Sequence, residues 1–534
     1  MTDEREDGRE PVEEADVCVI GSGPAGALVA YTLASRGHRV VVLEAGERFD
    51  RENDVRRMEE SLRPGHGANE VWNMGGERDA YTSSGESHYP LNAARVKGVG
   101  GSTLHWQGMV MRLHEKDFEM NTRHGIGRDW PISYDDLRPY YARAEEEMGV
   151  AGADDNPYAP PREEDFPLPA FEPSYSDTLF ADACDEVGIE MHSVPNARNS
   201  EPYDGRGACV GYGTCQPVCP SGAKYTADVH VRKAENEGAH IIDRAQVERL
   251  ETDSDGDGVD AAVYTTPRET YRQKADAFVV ACGGVETPRL LLLSASEKHP
   301  DGLANSSGMV GRNFTEHLFA GAGGTVEEET RQNHVGFVTS ESHALYDGGE
   351  PTPLGTKLEF FNYAGPSPSI SAMNADDWGD SLLEELRDSY GNHVAMGGLV
   401  EQLPDSENRV TLDKTKTDNL GNPVPEVRWS VGERTKEAIR AANDVQHEVL
   451  DAMNASAGWT AGPDGTGPAY HHMCTTRMGN HADESVVDER TKAHDLENLY
   501  VASSSVFVTA GAMNPTLTIA ALALKTADHV DEDI

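Results

Sequence analysis

The stretch ADVCVIGSGPAGALVAYTLASRGHRVVVLEAG, residues 15–46, constrains the fold more than any other part of the chain. The apolar run ADVCVI predicts a buried strand, ALVAYTLASRG a helix whose small residues lie against a sheet, and HRVVVLEAG a second strand. Between strand and helix, Gly21, Gly23 and Gly26 form a G-x-G-x-x-G turn. The first permits the tight bend, the second lets backbone approach a pyrophosphate, and the third lets helix and strand pack closely. The helix N-terminus then faces the phosphates. Glu44 closes the second strand, where a carboxylate accepts from a ribose hydroxyl. This order of strand, turn, helix, strand and acid predicts a dinucleotide site in an α/β fold and leaves NAD and FAD both open.

At 534 residues the chain has room for two or three lobes and a sizeable core. It carries 92 Asp and Glu against 46 Lys and Arg, a net charge of −46, and only 37% apolar residues. Apolar strands and helices nevertheless recur from Ala15 to the last turn, which argues for a folded core covered by carboxylates rather than for disorder. Such a surface suits molar salt, where the Debye length is about 3 Å and self-repulsion is screened, so the composition predicts a halophile. The same charge repels nucleic acid and anionic membranes. The opening MTDEREDGREPVEEA has no cationic flank, apolar stretch or twin arginine and reads as a solvated acidic tail, not a secretory signal. No apolar run reaches the roughly 18 residues of a membrane span, and VFVTAGAMNPTLTIAALAL is broken by Asn514 and Pro515. The chain by itself is therefore expected to be cytoplasmic, reaching a membrane or the exterior only if a partner carries it.

Three of the seven cysteines, Cys209, Cys215 and Cys219, stand in CVGYGTCQPVCPSGAKY as C-x5-C-x3-C-P, and the last part repeats the ending of bacterial ferredoxin runs. Zinc wants four ligands, and this segment offers no fourth Cys or His. Disulfide pairing leaves one thiol over in a chain with no export signal. Reduced or metal-bound thiols are the expectation. DSDGDG at Asp253–Gly258 imitates the start of a calcium loop, but Tyr264 stands at the twelfth position where a bidentate Glu is required, so an acidic turn between two strands is expected. Ser133 and Asp136 form a capping pair that starts a helix perturbed by Pro139, and the proline-rich stretch 157–173 reads as a connector.

Further motifs are KGVGGSTLHWQGM from Lys97, DWPISYDDLRPYYARAE from Asp129, AFVVACGGVETPRLLLLS from Ala277, GRNFTEH from Gly311 and the closing segment that begins YHHMCTTRMGN at Tyr470. Together with the N-terminal turn they resemble the glucose-methanol-choline (GMC) family of FAD-dependent oxidoreductases, from about residue 15 to the end. The resemblance implies an FAD-binding, Rossmann-like domain built from residues 1–115, 205–310 and 465–534, and a substrate domain of a sheet flanked by helices from 116–204 and 311–464. It assigns Gly21, Gly23, Gly26, Glu44, Gly100, Gly101, His105, Val247 and Pro515 to the FAD site.

Oxidising an alcohol requires a group that receives the hydroxyl proton, and a neutral imidazole does this near pH 7. The family pattern aligns this base with His471 rather than His472, and places Asn514 as the amide that holds the substrate oxygen. Cys474 stands where relatives usually have Gly, which is expected to crowd the pocket, and Ser503 where many have an Asp that helps hold the flavin. His105 matches a histidine that several members join covalently to the flavin 8α-methyl. Cys209, Cys215 and Cys219 resemble the segment by which the large subunits of flavin-dependent sugar and gluconate dehydrogenases ligate a three-iron, four-sulfur (3Fe-4S) cluster. These likenesses imply a dehydrogenase acting on a sugar, sugar acid or polyol and passing electrons to a cytochrome or quinone, with room for a small partner subunit. An oxidase using dioxygen and a non-redox lyase are the rival readings.

Overall fold

Val17–Ile20 and Val40–Leu43 are buried at every position, as inner strands of a parallel sheet covered on both faces must be. The computed structural model describes residues 9–61, 71–330, 336–347, 354–362, 365, 372–373 and 375–534; the first eight residues of the acidic opening lie outside these. The strand Ala15–Ile20 is central to a five-stranded sheet, flanked by Ala275–Val280 and Leu499–Val501 on one side and by Val40–Leu43 and His240–Ile242 on the other. All neighbours pair in parallel. The helix Pro24–Ser35 leaves the central strand through the glycine turn. A Cβ on Gly26 would stand 1.9 Å from the Gly21 carbonyl oxygen, so no other residue lets helix and strand approach this closely.

This helix packs on the helices Asp228–Asn236 and Thr516–Asp533, and the latter also receives the helix Tyr134–Met148. The expected capping box of Ser133 and Asp136 is present. Pro139 lies inside this helix, which continues to Met148 with Leu137, Tyr141, Ala144 and Met148 buried along one stripe. Asp253–Gly258 is the expected turn, joining the antiparallel strands Gln246–Thr252 and Val259–Thr265, with the Asp253 carboxylate accepting from the N–H groups of Asp255 and Gly256. Among the described residues no helix is long and apolar enough to cross a membrane.

The second sheet has six antiparallel strands in the order Ser456–Ala461, His317–Thr325, His393–Glu401, Thr356–Phe361, Val338–Ser342 and His192–Ser193. Its two faces separate by alternation. Leu318, Ala320, Leu358 and Phe360 point to the helices Tyr175–Val187 and Glu433–Ala452 and complete apolar clusters with Phe180, Ile439 and Val449. Phe319, Glu359 and Phe361 face the other way and line a cavity.

Candidate active site

A cavity of about 750 Å³ runs from the glycine turn to the open face of the six-stranded sheet. Its wall includes Gly21, Gly23, Glu44, Val247, Gly101, His105 and Pro515, and also His471, His472 and Asn514. Gly26 and Gly100 stand behind this wall. Gly26 sets the helix on the turn, and Gly100, at φ +106°, donates its N–H to the Ser22 carbonyl at 3.2 Å. A Cβ on Gly101 would come within 2.8 Å of the Gly23 Cα, whereas one on Gly23 would meet nothing within 4 Å. The open side of Gly23 and the helix N-terminus, which no side chain caps, leave backbone donors facing the cavity. That cradle fits the pyrophosphate of FAD. The Glu44 carboxylate accepts from the Ser22 N–H and hydroxyl at 3.0 and 2.7 Å and from the Gly46 N–H at 2.9 Å, which fixes it at the strand end.

His105 ends the short 3-10 turn Gly101–Leu104. Burial, aided by the Lys224 ammonium, pushes its imidazole down to about 4. Lys224 is itself buried, and its ammonium donates to the carbonyls of Leu104, Trp106 and Cys215 at 3.0, 2.7 and 2.6 Å. One cation thus joins the two backbone segments flanking His105 to the cysteine loop.

Cys209, Cys215 and Cys219 are free thiols that line one small cavity together with Arg198, Thr214 and Pro220. Arg198 is 1% exposed, with its Nη1 3.7 Å from the Cys215 sulfur. Its Nε and Nη2, and the Thr214 hydroxyl, have no hydrogen-bond partner among the described residues. Burial pushes the Cys219 thiol up, but the Lys224 N–H, the Ser221 hydroxyl and the Lys224 ammonium outweigh it and leave the group below its ordinary value. Orphaned buried donors around three thiols fit an anionic thiolate-bound group.

At the far end His471 is held through its ring. The His317 Nε2–H faces the Ala510 carbonyl at 3.3 Å, so His317 Nδ1 is the acceptor for His471 Nδ1–H at 2.9 Å. This chain leaves His471 Nε2 bare, and it bonds to no group among the described residues. Burial, with His317 and Lys357 nearby, holds His471 well below the usual histidine value, so the ring stays neutral. Glu316 accepts from the backbone N–H groups of His471 and His317 and from the Tyr89 hydroxyl. Burial raises its carboxyl to about 8. His472 packs its ring against Tyr89 and Phe314, and its buried Nε2 has no hydrogen-bond partner among the described residues, with Glu316 Oε1 3.9 Å away.

Asn514, just before the C-terminal helix, accepts at Oδ1 from the Lys357 ammonium at 2.8 Å. Lys357 also meets Glu359 at 2.8 Å and Glu341 at 3.2 Å. Among the described residues His192, Glu341 and His343 form a set of ligand atoms within 4.8 Å of one another. Glu341 already bears Lys357 on one oxygen and His343 on the other, so a metal there would have to displace an ammonium.

The sequence motifs contain His317 and Lys224 but indicate no role for either. Lys357 and Glu359 alternate with apolar neighbours in TKLEFF, a pattern that marks one polar strand face. Cys474 does not crowd the cavity. Its side chain is fully buried in the core, and its backbone has φ +70°, the left-handed region that glycine enters without cost. Ser503 does line the cavity, where its hydroxyl caps the turn Ser504–Val506.

Two family models described as GMC oxidoreductase match residues 80–319 and 404–523, and one described as FAD dependent oxidoreductase matches residues 16–68. The fructose dehydrogenase large subunit of Gluconobacter japonicus is 34% identical over 97% of this chain and 98% of its own. The 2-methyl-1,2-propanediol dehydrogenase of Mycolicibacterium austroafricanum is 31% identical over 97% of this chain and 95% of its own. Pyridoxine 4-oxidase from Mesorbium loti superposes with a TM-score of 0.68 at 18% identity, covering 97% of this chain and 99% of that one, a likeness of fold.

Proposed function

The chain belongs to the GMC oxidoreductase family and is an FAD-dependent enzyme acting on CH–OH groups, and on that premise we propose that it is a dehydrogenase of a sugar, sugar acid or polyol that exports electrons through an iron–sulfur cluster. The observation that carries the reading is the Lys224 junction, which ties Cys215, and with it the small cavity that Cys215 shares with Cys209 and Cys219, to the backbone on either side of His105. Bound FAD would supply the acceptor for the hydride leaving the substrate carbon. A 3Fe-4S cluster held by the three cysteines would take electrons singly. Thiolates on one zinc sit about 3.8 Å apart, given 2.3 Å bonds and tetrahedral angles, and a cluster with one thiolate per iron spreads them wider.

The residues divide the work. His471 Nε2 takes the hydroxyl proton, held in its tautomer by His317 and Ala510. Asn514, its oxygen committed to Lys357, turns its NH₂ group to the substrate oxygen. Gly21, Gly23, Glu44, Gly101, Val247 and Pro515 would hold the FAD, and His105 would be its point of covalent attachment. The likeness to a protein named as a large subunit supports a small partner subunit, and a cytochrome or quinone is the acceptor proposed for the cluster.

Anaerobic mixing with sugars, sugar acids and polyols, followed by flavin bleaching and by reduction of a dye acceptor, tests the reading. Bleaching by at least one such alcohol, with negligible peroxide in air, is expected. Rapid peroxide formation favours the oxidase, and no bleaching by any alcohol overturns the dehydrogenase.

Flavin is expected to stay with the polypeptide after acid precipitation, and His105→Ala to release it. A yellow supernatant from the unmutated protein rules out the bond. The net charge of −46 leads to a further expectation. The melting temperature should rise from dilute buffer to molar KCl, as the Debye length falls from about 10 to about 3 Å at 0.1 and 1 M. A flat or falling curve removes the halophile reading.

A further inference from the structure

The cavity face of the six-stranded sheet carries a buried ionic cluster that the proton-transfer step does not itself use. Glu341 and Glu359 stand directly opposite each other on neighbouring strands. Two carboxylates so placed repel unless a cation lies between them. Lys357, two residues before Glu359 on the same face and fully buried, provides it. Burial pulls this amine down, but Glu341 and Glu359 more than offset that and hold it above the usual lysine value. Glu341 is braced in turn by His343 at 3.1 Å, and His343 by Asn156 at 3.0 Å.

An ammonium has three donors and no acceptor. Glu341 and Glu359 lie within ion-pair distance of it, at 3.2 and 2.8 Å, while its hydrogen bond goes to Asn514 Oδ1 at 2.8 Å. A side-chain amide can turn by half a revolution with little change of shape, so packing alone does not choose which end faces the substrate. The lysine chooses, because it can meet only the oxygen.

We propose that Lys357 is a positioning residue for the reaction: it fixes the Asn514 amide with its NH₂ toward the substrate oxygen, so that the substrate O–H is directed at His471. The polarised amide is then the better donor to an oxygen that gains negative charge as the proton leaves. The same ammonium disfavours a second positive charge on His471 and His317, which keeps the base neutral. This inference rests on the reading of His471 and Asn514 as the catalytic pair.

The test is a double-mutant cycle on the limiting rate of anaerobic flavin reduction. Asn514→Ala is expected to slow it roughly 10²-fold. Lys357→Met is expected to do the same to a comparable degree, with the apparent substrate dissociation constant changed less than about threefold and FAD retained. Because the lysine acts through the amide, the double variant should be no slower than Asn514→Ala alone. Lys357→Met leaves two buried carboxylates without their cation and can fail to fold. The variant Lys357→Met with Glu341→Gln keeps the net charge of the cluster and is read in the same way.

If Lys357→Met slows the Asn514→Ala enzyme by the same factor as it slows the unmutated one, or if a folded Lys357 variant keeps full rate, the inference falls. If Asn514→Ala itself keeps full rate, the catalytic pair is wrong, a separate failure.

Discussion

His471→Gln lowers the limiting rate of substrate-driven flavin reduction by roughly 10²-fold or more, while the protein keeps its FAD and its melting temperature. Glutamine occupies similar space but has no basic nitrogen, so the substrate hydroxyl loses the group that receives its proton. His472→Gln has a much smaller effect, because its ring packs among Tyr89 and Phe314 and its Nε2 is buried. The expected pH dependence follows from the environment. Burial depresses His471, so the base stays unprotonated as pH falls through the ordinary histidine value of about 6.5, and the rate should remain level there. Stopped-flow measurements of both variants and of the pH profile check this. A larger loss from His472→Gln would shift the assignment by one residue, and a rate that halves near pH 6.5 would show an exposed, ordinary base. His317→Ala releases the tautomer of His471 and is expected to cost less than His471→Gln.

Cys215→Ser separates two activities. Substrate continues to bleach the flavin at close to the normal rate, while electron transfer to a cytochrome or quinone acceptor collapses. Cys215 is the thiol nearest the flavin loop in connectivity, since its carbonyl is held by the same Lys224 ammonium as Leu104 and Trp106. Its sulfur also faces the orphaned Arg198 guanidinium. Serine conserves size but is a poor ligand for iron. Iron and acid-labile sulfide are expected to fall together, and the low-temperature paramagnetic signal of the oxidised protein to disappear. Anaerobically reconstituted protein that holds zinc or no metal, or a Cys215→Ser variant with full acceptor turnover, overturns the electron-export reading.

Much of the nucleotide half was legible in the sequence because its constraints are local. A G-x-G-x-x-G turn between two apolar strands leaves little choice of backbone, and Gly21, Gly23, Glu44 and His105 line one cavity. The capping box at Ser133 and the acidic turn at Asp253 are likewise contacts between near neighbours. How far the helix runs beyond Pro139 was not legible, because the buried stripe Leu137, Tyr141, Ala144 and Met148 is set by what packs against it. Cys474 was misjudged: its replacement of glycine was read as a matter of pocket size, whereas the position is one of backbone conformation.

The glycine turn, the family and the types of residue available for proton transfer can be read from the chain alone, because each rests on short-range geometry or on ordered motifs. The partners that hold the His471 ring and the Asn514 amide became visible only in the folded chain. His317 lies 154 residues from His471, and Lys357 lies 157 from Asn514. The sheet that carries His317 and Lys357 sets those distances, and no spacing along the chain encodes a hydrogen bond between segments that meet only once the core has packed. The same holds for Lys224 and Leu104, 120 residues apart, whose contact turns a cysteine-rich loop and a flavin loop into one unit.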